Sequence, residues 1–280
     1  MPVPERGDPS PFAYERGPIG CLLLHGFPGS PAEARLLGAY LAERDISVAG
    51  PLLPGHGTAP EELRGVSWRD WVAAAEAALQ RLREHSPTCF VAGLSLGGAI
   101  ALYLAGRTSI AGAIALSPAI RIRDWRFQLA RLTRHSNLWV EPGTENDDLA
   151  DQQARSLTWH YPRYPAASVS EVLSLVQATR RSLKKIHVPV LMVQSSRDGA
   201  LIPEGACWAY ERIPVQDKEL VWLERSGHNI LVDTEREVVF DHVYRFIDRL
   251  AVSPLGGAGL PECPPGQRNP KRSRCPRSAG

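Results

Sequence analysis

Short apolar segments alternate with longer amphipathic segments between residues 19 and 250 of this 280-residue chain. Each apolar segment has five to seven residues, which suits a strand buried on both faces. The longer segments place apolar residues at helical spacing. Such alternation is typical of an α/β fold, in which helices flank a mostly parallel sheet. Strands are predicted at 19–24, 46–50, 88–92, 110–116, 189–194 and 219–223, and helices at 31–44, 68–85, 96–106, 203–213 and 233–250.

The first predicted helix has a complete start signal. Ser30 is placed as the N-cap, Pro31 fills the first helical position, and Glu33 stands where it completes a capping box. The Glu33 carboxylate is therefore expected to return to the backbone amide of the N-cap residue.

The alternation is interrupted between residues 118 and 185. This stretch is richer in Trp, Arg and Tyr, and no clear strand separates its helix-like patches at 124–133, 147–157 and 168–182. We therefore predict a helical cap insertion at residues 118–185, projecting from one edge of the sheet. Residues 1–250, including this insertion, are predicted to form one domain.

The charges are distributed unevenly along the chain. The formal net charge is +2, but residues 251–280 hold five basic residues and one acidic residue, so the first 250 residues have 27 basic and 29 acidic side chains. A domain without a positive excess is not expected to bind nucleic acid or anionic lipid. The last thirty residues contain six prolines and five glycines and are predicted to be a disordered tail.

The sequence contains no pattern typical of a targeting segment or of a metal site. The first ten residues, MPVPERGDPS, lack the apolar core of a signal peptide, and no run approaches the roughly 18 apolar residues of a membrane span. The five cysteines show no CxxC spacing. We therefore expect a cytoplasmic protein without a stable membrane insertion and without a bound metal.

The segment FVAGLSLGG, residues 90–98, places one serine among glycines where a predicted strand runs directly into a predicted helix. Interior glycine weakens a strand and costs about 1 kcal/mol in a helix, so these glycines indicate a tightly bent backbone. Gly93, Ser95 and Gly97 match the pattern G-x-S-x-G in its strand–turn–helix setting, where the serine is a nucleophile. A tight turn with an incidental serine is the alternative.

A serine hydroxyl needs a base within hydrogen-bonding reach to act as a nucleophile near neutral pH. His228, in the segment ERSGHN before the last predicted helix, is the candidate base, and an exposed loop histidine is the alternative. Asp198 follows another predicted strand after a short turn and is the candidate acid that orients the imidazole. A cap for the next helix is the alternative for Asp198, while Asp217 and Asp233 are less well placed.

The glycine-rich HGFPG segment, residues 25–29, follows the first predicted strand at the same edge of the sheet. An oxyanion hole needs N–H donors near the reacting carbonyl group. The backbone amides of Phe27 and of Leu96, the residue after the serine, are the candidate pair. The Phe27 side chain is also a candidate pocket wall. His25 and His56 are interpreted as structural residues that brace their loops.

Five segments together resemble the small bacterial carboxylesterases and monoacylglycerol lipases of the α/β-hydrolase superfamily. They occur in the family's order, as LLLHGFPGSPAE, PLLPGHG, GLSLGG, SSRDGALIP and SGHNI. The resemblance implies a catalytic triad of Ser95, Asp198 and His228. It implies that the oxyanion hole is formed by the amides of Phe27 and Leu96, and that the cap insertion is the family's cap. The sequence of the insertion itself matches no motif of the family.

The sequence therefore predicts a serine hydrolase that cleaves carboxylic esters through an acyl-enzyme, without a cofactor. The resemblance favours a monoacylglycerol or a short-to-medium-chain ester as the small-molecule substrate. Hydrolysis of amides, thioesters or carbon–carbon bonds and acyl transfer use the same triad on this fold and stay open, as does a non-catalytic binding scaffold. Packing within the insertion is the alternative for each residue expected to roof an acyl pocket: Trp125, Phe127, Leu129, Leu132, Leu138 and Trp139.

Overall fold

A mostly parallel sheet is the centre of the computed structural model, which describes residues 7–124, 137–141 and 148–252. The strands are β1 (Phe12–Tyr14), β2 (Ile19–Leu24), β3 (Ile46–Gly50), β4 (Thr88–Leu94), β5 (Gly112–Leu116), β6 (Trp139–Val140), β7 (Tyr164–Pro165), β8 (Val190–Ser195) and β9 (Lys218–Leu223). Seven of them form one sheet in the order β1-β3-β2-β4-β5-β8-β9. All its pairings are parallel except that of β1 with β3, which confirms the predicted α/β class.

Helices cover both faces of this sheet. The α-helices are α1 (Arg35–Ala42), α2 (Trp68–Arg83), α3 (Leu96–Ala105), α4 (Ala166–Ser182), α5 (Glu204–Arg212) and α6 (Arg236–Val252). Leu22 and Leu24 of β2 pack in a core with α2, α3, α4 and α5. Cys21 and Leu23 point to the opposite face, where they pack with α1 and α6. The carboxyl ends of the parallel strands meet at one edge, where open α/β sheets bind ligands.

The start of the first helix differs from the sequence prediction. Residues Pro31–Ala34 form a 3₁₀ turn, and the side chain of Ser30 accepts a hydrogen bond from the amide of Ala32. Glu33 does not complete a capping box, because its carboxylate instead accepts from the amide of Gly26 at 3.0 Å. The prediction of a capping box is therefore wrong: the carboxylate satisfies a buried amide of the HGFPG segment instead of the helix start.

The helix-like patches of the cap insertion have different outcomes. Most of the patch at 124–133 lies outside the described residues. The patch at 147–157 contains a 3₁₀ segment at Gln152–Leu157, and the patch at 168–182 belongs to α4. β6 and β7 pair antiparallel as a separate two-stranded sheet, which the sequence does not predict because each strand has only two residues.

Helix α4 of the cap insertion packs in the helix layer of the main sheet. Val172, Leu175 and Val176 are buried in the core that α2 and α3 also line. The hydroxyl of Thr179 donates to the carbonyl of Ala99 in α3 at 3.0 Å. The end of the insertion is therefore fixed to the helix whose first turn follows Ser95.

The last described helix ends beyond the predicted domain boundary. α6 runs to Val252 and so includes the first two residues of the predicted tail. Residues 253–280 lie outside the described residues, so the disorder of the tail stays a prediction. None of the helices in the described parts of the chain is long and apolar enough to cross a membrane.

Candidate active site

Ser95 lies at the sharp turn between the end of β4 and the start of α3. Its backbone has φ 54° and ψ −110°, a strained conformation for a residue with a side chain. The Ser95 amide donates to the carbonyl of Leu116 in β5 at 2.9 Å. Its carbonyl accepts from the amides of Ala99 and Ala119, each at 3.0 Å. The adjacent strand and helix therefore hold this turn at the carboxyl edge of the sheet.

The glycines around Ser95 are required by close packing. A Cβ atom on Gly93 would overlap the backbone of Gly97, and a Cβ atom on Gly97 would overlap the carbonyl of Leu24. A Cβ atom on Gly26 would lie 3.3 Å from the Cβ atom of Ser95. The HGFPG segment and the serine turn are therefore in direct contact.

His228 and Asp198 form a hydrogen-bonded pair at the same edge of the sheet. Asp198 follows β8, His228 follows β9, and Nδ1 of His228 lies 2.8 Å from Oδ2 of Asp198. Oδ2 also accepts from Nε2 of Gln194 at 2.9 Å. Oδ1 accepts from the amides of Ala200 at 3.0 Å and Leu201 at 2.7 Å. These bonds fix the orientation of the carboxylate, and with it the orientation of the imidazole.

Asp198 and His228 stabilise each other's charged forms. Burial alone would raise the pKa of Asp198, but the charge of His228 and the hydrogen bonds to the carboxylate hold this pKa below its usual value. Burial alone would lower the pKa of His228. The charge and hydrogen bond of Asp198, together with the charges of Asp148 and Glu33, raise the pKa of His228 instead. The surroundings therefore suit an imidazole that accepts a proton.

The hydroxyl of Ser95 is not hydrogen-bonded to the ring of His228 among the described residues. Catalytic hydrogen bonds are often long or poorly aligned without substrate and tighten when it binds. Glu33 connects the two sides of the site: its Oε2 binds the amide of Gly26, which packs against Ser95, and its charge acts on His228.

The two candidate oxyanion amides belong to Phe27, the residue after Gly26, and to Leu96, the residue after Ser95. Neither the amide of Phe27 nor that of Leu96 donates a hydrogen bond within the described residues. Leu96 is the first residue of α3, so the positive end of the helix dipole is directed to the same place. The ring of Phe27 packs edge-on against Tyr164 of the cap insertion, with centroids 4.9 Å apart. The insertion therefore contacts the HGFPG segment directly.

His25 and His56 brace the loops around the HGFPG segment. Nδ1 of His25 donates to the carbonyl of Gly26 at 2.8 Å, and Nε2 accepts from the amide of Leu53 at 3.1 Å. Nδ1 of His56 lies 3.1 Å from the carbonyl of Pro54. Burial lowers the pKa of His25 to about 3 and that of His56 to about 4. Both rings are therefore neutral and structural, as the sequence predicts.

Glu33 is a buried carboxyl group beneath the HGFPG segment. Besides its bond to the amide of Gly26, its carboxylate occupies the space that a Cβ atom on Gly29 would need. Burial raises the pKa of Glu33 to about 7, although the hydrogen bond from Gly26 and the charge of His228 oppose this shift. Besides Asp198, whose pKa is lowered, the site therefore contains a carboxyl group with a pKa near neutrality.

Glu33→Gln is expected to remove a pH dependence of stability. The pKa of Glu33 is about 7 in the folded protein against an ordinary 4.5, so the folded state binds the proton more tightly and loses stability as pH rises through this range. At pH values above the folded pKa, Glu33 lowers the free energy of unfolding by roughly 3 kcal/mol relative to its value below pH 4.5. Glutamine keeps the acceptor for the amide of Gly26 without the charge.

Urea denaturation of both proteins measures this effect. The Glu33→Gln variant should gain stability over the wild type only as pH rises from 4.5 to above 7. A difference between the two proteins that is the same at both ends of this range would contradict the assignment.

The alternative acids have other partners. Asp217 forms a two-fold ion pair with Arg249 at the surface, with distances of 2.8 and 2.9 Å. Asp233 is buried and accepts from an amide of the loop that carries His228 at 2.6 Å. In the part of the chain that the structure describes, Asp198 is the carboxylate bonded to the ring of His228.

Comparison with known proteins places the chain in a family. The family model Hydrolase_4, described as serine aminopeptidase, S33, matches residues 20–235. The chain belongs to this family.

Two bacterial enzymes are similar in sequence to this chain. A carboxylesterase of Bacillus subtilis (strain 168) is 29% identical over 243 residues, which cover 86% of this chain and 97% of that protein. A thermostable monoacylglycerol lipase of Bacillus sp. (strain H-257) is 31% identical over 242 residues, which cover 86% of this chain and 95% of the lipase. These likenesses confirm the resemblance that the five sequence segments predict.

A solved structure from work on LipS and LipT, two metagenome-derived lipolytic enzymes, matches the fold with a TM-score of 0.82. It is 28% identical to this chain, and the match covers 87% of this chain and 99% of the other. The family member described here therefore has the α/β-hydrolase fold.

The predicted roof residues are only partly described. Leu138 is 56% exposed. The guanidinium carbons of Arg64 and Arg163 lie 4.9 and 4.6 Å from the centroid of the Trp139 ring. Four of the predicted roof residues lie outside the described residues: Trp125, Phe127, Leu129 and Leu132. The role of those four therefore stays a prediction.

Two charged residues of the cap insertion, neither of them predicted from the sequence, bind the loop that carries Asp198. Arg123 donates to the carbonyls of Asp198 at 2.9 Å and Leu201 at 3.1 Å. Asp148 accepts from the amide of Gly199 at 2.6 Å, across 51 residues of sequence. Neither residue belongs to a local motif, so only the tertiary fold identifies these contacts.

Proposed function

We propose that this protein is a serine hydrolase that cleaves carboxylic esters through an acyl-enzyme. Ser95 is the nucleophile, His228 transfers the proton, and Asp198 orients His228. The observation that carries this proposal is the strained turn that presents Ser95 beside the HGFPG segment, at the sheet edge where the His228–Asp198 pair also lies. The carboxylesterase and the monoacylglycerol lipase, each matched over 86% of this chain, support an ester as the substrate.

The reaction begins with attack of the Ser95 hydroxyl oxygen on the carbonyl carbon of the ester. Nδ1 of His228 is engaged by Asp198, so Nε2 is the nitrogen that takes the serine proton. The tetrahedral oxyanion receives hydrogen bonds from the amides of Phe27 and Leu96. The bond to the alcohol oxygen then breaks, and His228 gives its proton to the departing alcohol.

Water completes the reaction by attacking the carbonyl carbon of the acyl-enzyme. His228 takes a proton from this water and returns it to the oxygen of Ser95 as the acyl–serine bond breaks. The carboxylic acid leaves and the hydroxyl of Ser95 is restored. In these steps His228 carries out every proton transfer, and no cofactor takes part.

The substrates that we propose are monoacylglycerols or esters of short-to-medium acyl chains. The names of the two Bacillus relatives support this class, and the apolar residues of the cap insertion suit an acyl group. We also propose, from the sequence alone, that the enzyme is cytoplasmic, binds no nucleic acid and is not stably inserted in a membrane.

The preference for acyl chain length is expected to rise and then fall. Each methylene that is buried beneath the cap insertion contributes about 0.8 kcal/mol, which is about fourfold in kcat/KM. Once the pocket is filled, longer chains no longer fit beneath the cap insertion, so kcat/KM falls. We expect the maximum at about four to ten carbons. A series of p-nitrophenyl esters from acetate to palmitate, with monoacylglycerols alongside, measures this profile.

Two tryptophan variants test the roof. If Trp125 lines the acyl pocket, as the sequence predicts, Trp125→Ala should open space there and move the maximum to longer chains. Trp139→Ala is the matched control: its ring contacts Arg64 and Arg163, and the profile should keep its maximum. A uniform loss at every chain length in Trp125→Ala would mean that this ring only supports the insertion.

Amide hydrolysis is the second candidate, because the family model is described as a serine aminopeptidase. Aminoacyl p-nitroanilides should therefore be assayed beside the esters. A higher kcat/KM for the anilides than for every ester would replace the ester as the proposed substrate while keeping the same triad.

A further inference from the structure

Asp148 of the cap insertion bridges the acid loop (residues 196–203) and the base loop (residues 224–230). Its Oδ2 accepts from the amide of Gly199, the residue directly after the candidate acid, at 2.6 Å. Both of its carboxylate oxygens lie 2.9 Å from the amide of His228. One side chain of the insertion therefore joins the backbones of the two loops.

The base loop is packed tightly against Asp148 at Gly227. A Cβ atom on Gly227 would lie 2.5 Å from Oδ1 and 2.6 Å from Cγ of Asp148, and it would overlap the backbone carbonyl of Asp148. Distances this short do not occur between real side chains. Glycine at this position is therefore what lets the carboxylate reach the amide of His228.

A second carboxylate fixes the backbone next to Asp148 to the base loop. Asp233 accepts from the amides of Ala150 at 3.1 Å and Asp151 at 2.8 Å in the insertion. It also accepts from the amide of Gly227 in the base loop at 2.6 Å. The position of Asp148 is therefore tied to the base loop by its side chain and by its neighbouring backbone.

Asp148 also places negative charge next to the imidazole. Three carboxyl groups act on His228: those of Asp198, Asp148 and Glu33. Burial raises the pKa of Asp148, while the hydrogen bonds from the amides of His228 and Gly199 and the charge of His228 oppose this shift. The guanidinium of Arg123 supplies positive charge on the acid loop through its bonds to two carbonyls.

We propose that Asp148 is a positioning residue that couples the cap insertion to the His228–Asp198 pair. It holds the backbones of the acid loop and the base loop at the spacing that the 2.8 Å bond between the two side chains needs. Its charge stabilises the imidazolium that forms when Ser95 loses its proton. This inference rests on the proposed function and extends it, because it makes the insertion part of the catalytic geometry.

The test compares Asp148→Asn with Asp151→Asn. Asparagine keeps the size of Asp148 but removes its charge and sets an N–H donor against the amide of His228. The side chain of Asp151 lies three residues away, is 31% exposed and pairs with Arg236 at 3.5 Å. For Asp148→Asn we expect kcat to fall on the order of 10²-fold with KM nearly unchanged, because the reacting groups are misplaced. Asp151→Asn should resemble the wild type.

Measurement of the pKa of His228 distinguishes a positioning role of Asp148 from a role that only supports the insertion. NMR of histidine-labelled protein follows this pKa, and the acid limb of kcat/KM against pH follows it independently. Both should move to lower pH in Asp148→Asn and stay in place in Asp151→Asn, because only the first variant removes a charge that acts on the imidazole. The NMR titration needs no turnover, so it tests the role of Asp148 even if esters prove not to be the substrate.

A fall in kcat without a shift in the pKa of His228, or a rise in KM alone, would overturn the inference, because the carboxylate would then only support the insertion. If Asp148→Asn does not fold, the wild-type protein supplies the test. The amide resonances of Gly199 and His228 share one acceptor and should therefore titrate together with Asp148. Separate titrations of these two amides would equally overturn the inference.

Discussion

Ser95→Ala is expected to abolish ester hydrolysis, with a loss on the order of 10⁴-fold or more. The variant has no hydroxyl to attack the ester, so no acyl-enzyme forms. Alanine has the same backbone cost at φ 54° as serine, and the bonds that hold this turn are made by backbone atoms. The protein should therefore fold normally, and circular dichroism with thermal unfolding checks this.

Ser117→Ala is the matched control for this variant. Ser117 follows the neighbouring strand β5, has φ 39° and is buried, and its hydroxyl has no hydrogen-bond partner. It therefore shares with Ser95 a positive φ directly after a parallel strand, but it is buried, whereas Ser95 is half-buried. Ser117→Ala should keep its activity and its covalent labelling by a fluorophosphonate, whereas Ser95→Ala should lose both. Substantial turnover by folded Ser95→Ala would refute the proposed mechanism.

The serine turn could be predicted from sequence because its causes are local. Gly93 and Gly97 lie within two residues of Ser95, and the backbone overlaps that exclude larger side chains arise from the same turn and the adjacent strand. The apolar run before the serine and the helix after it are contiguous as well. A short pattern therefore contains the whole reason for the conformation.

The role of Glu33 could not be read from the same kind of pattern. Three residues after Ser30, a glutamate satisfies the rule for a capping box equally well. What decides its actual contact is the position of Gly26, which is set by packing against Ser95 and not by the helix start. The Glu33 carboxylate could bind the amide of the N-cap residue or the amide of Gly26. Burial beneath the HGFPG segment favours the bond to Gly26.

The contacts that the cap insertion makes with the acid loop and the base loop could not be predicted from the sequence. Arg123 and Asp148 stand in a stretch without clear periodicity, and their partners lie on loops that are 51 to 80 residues away along the chain. An acidic side chain in such a stretch is most simply interpreted as solvated. Only the folded arrangement shows that Asp148 is shared by the acid loop and the base loop.

Asp198→Asn is expected to lower kcat by roughly 10⁴-fold with little change in structure. In the wild type, Oδ1 accepts from the amides of Ala200 and Leu201. These two donors will hold the amide oxygen of the asparagine at the same place. The amide nitrogen then takes the position of Oδ2, which faces the ring of His228 at 2.8 Å.

A donor at that position reverses the hydrogen bond to the imidazole. Nδ1 of His228 must become the acceptor, so the ring proton moves to Nε2, and the nitrogen that should take the proton of Ser95 is already protonated. The loss of the Asp198 charge also lowers the pKa of His228, since this charge raises it in the wild type. The acid limb of the remaining activity should therefore move to lower pH. Asp217→Asn, which removes only a surface partner of Arg249, is the control and should keep its activity. If Asp217→Asn were inactive and Asp198→Asn nearly normal, the acid of the triad would have to be reassigned.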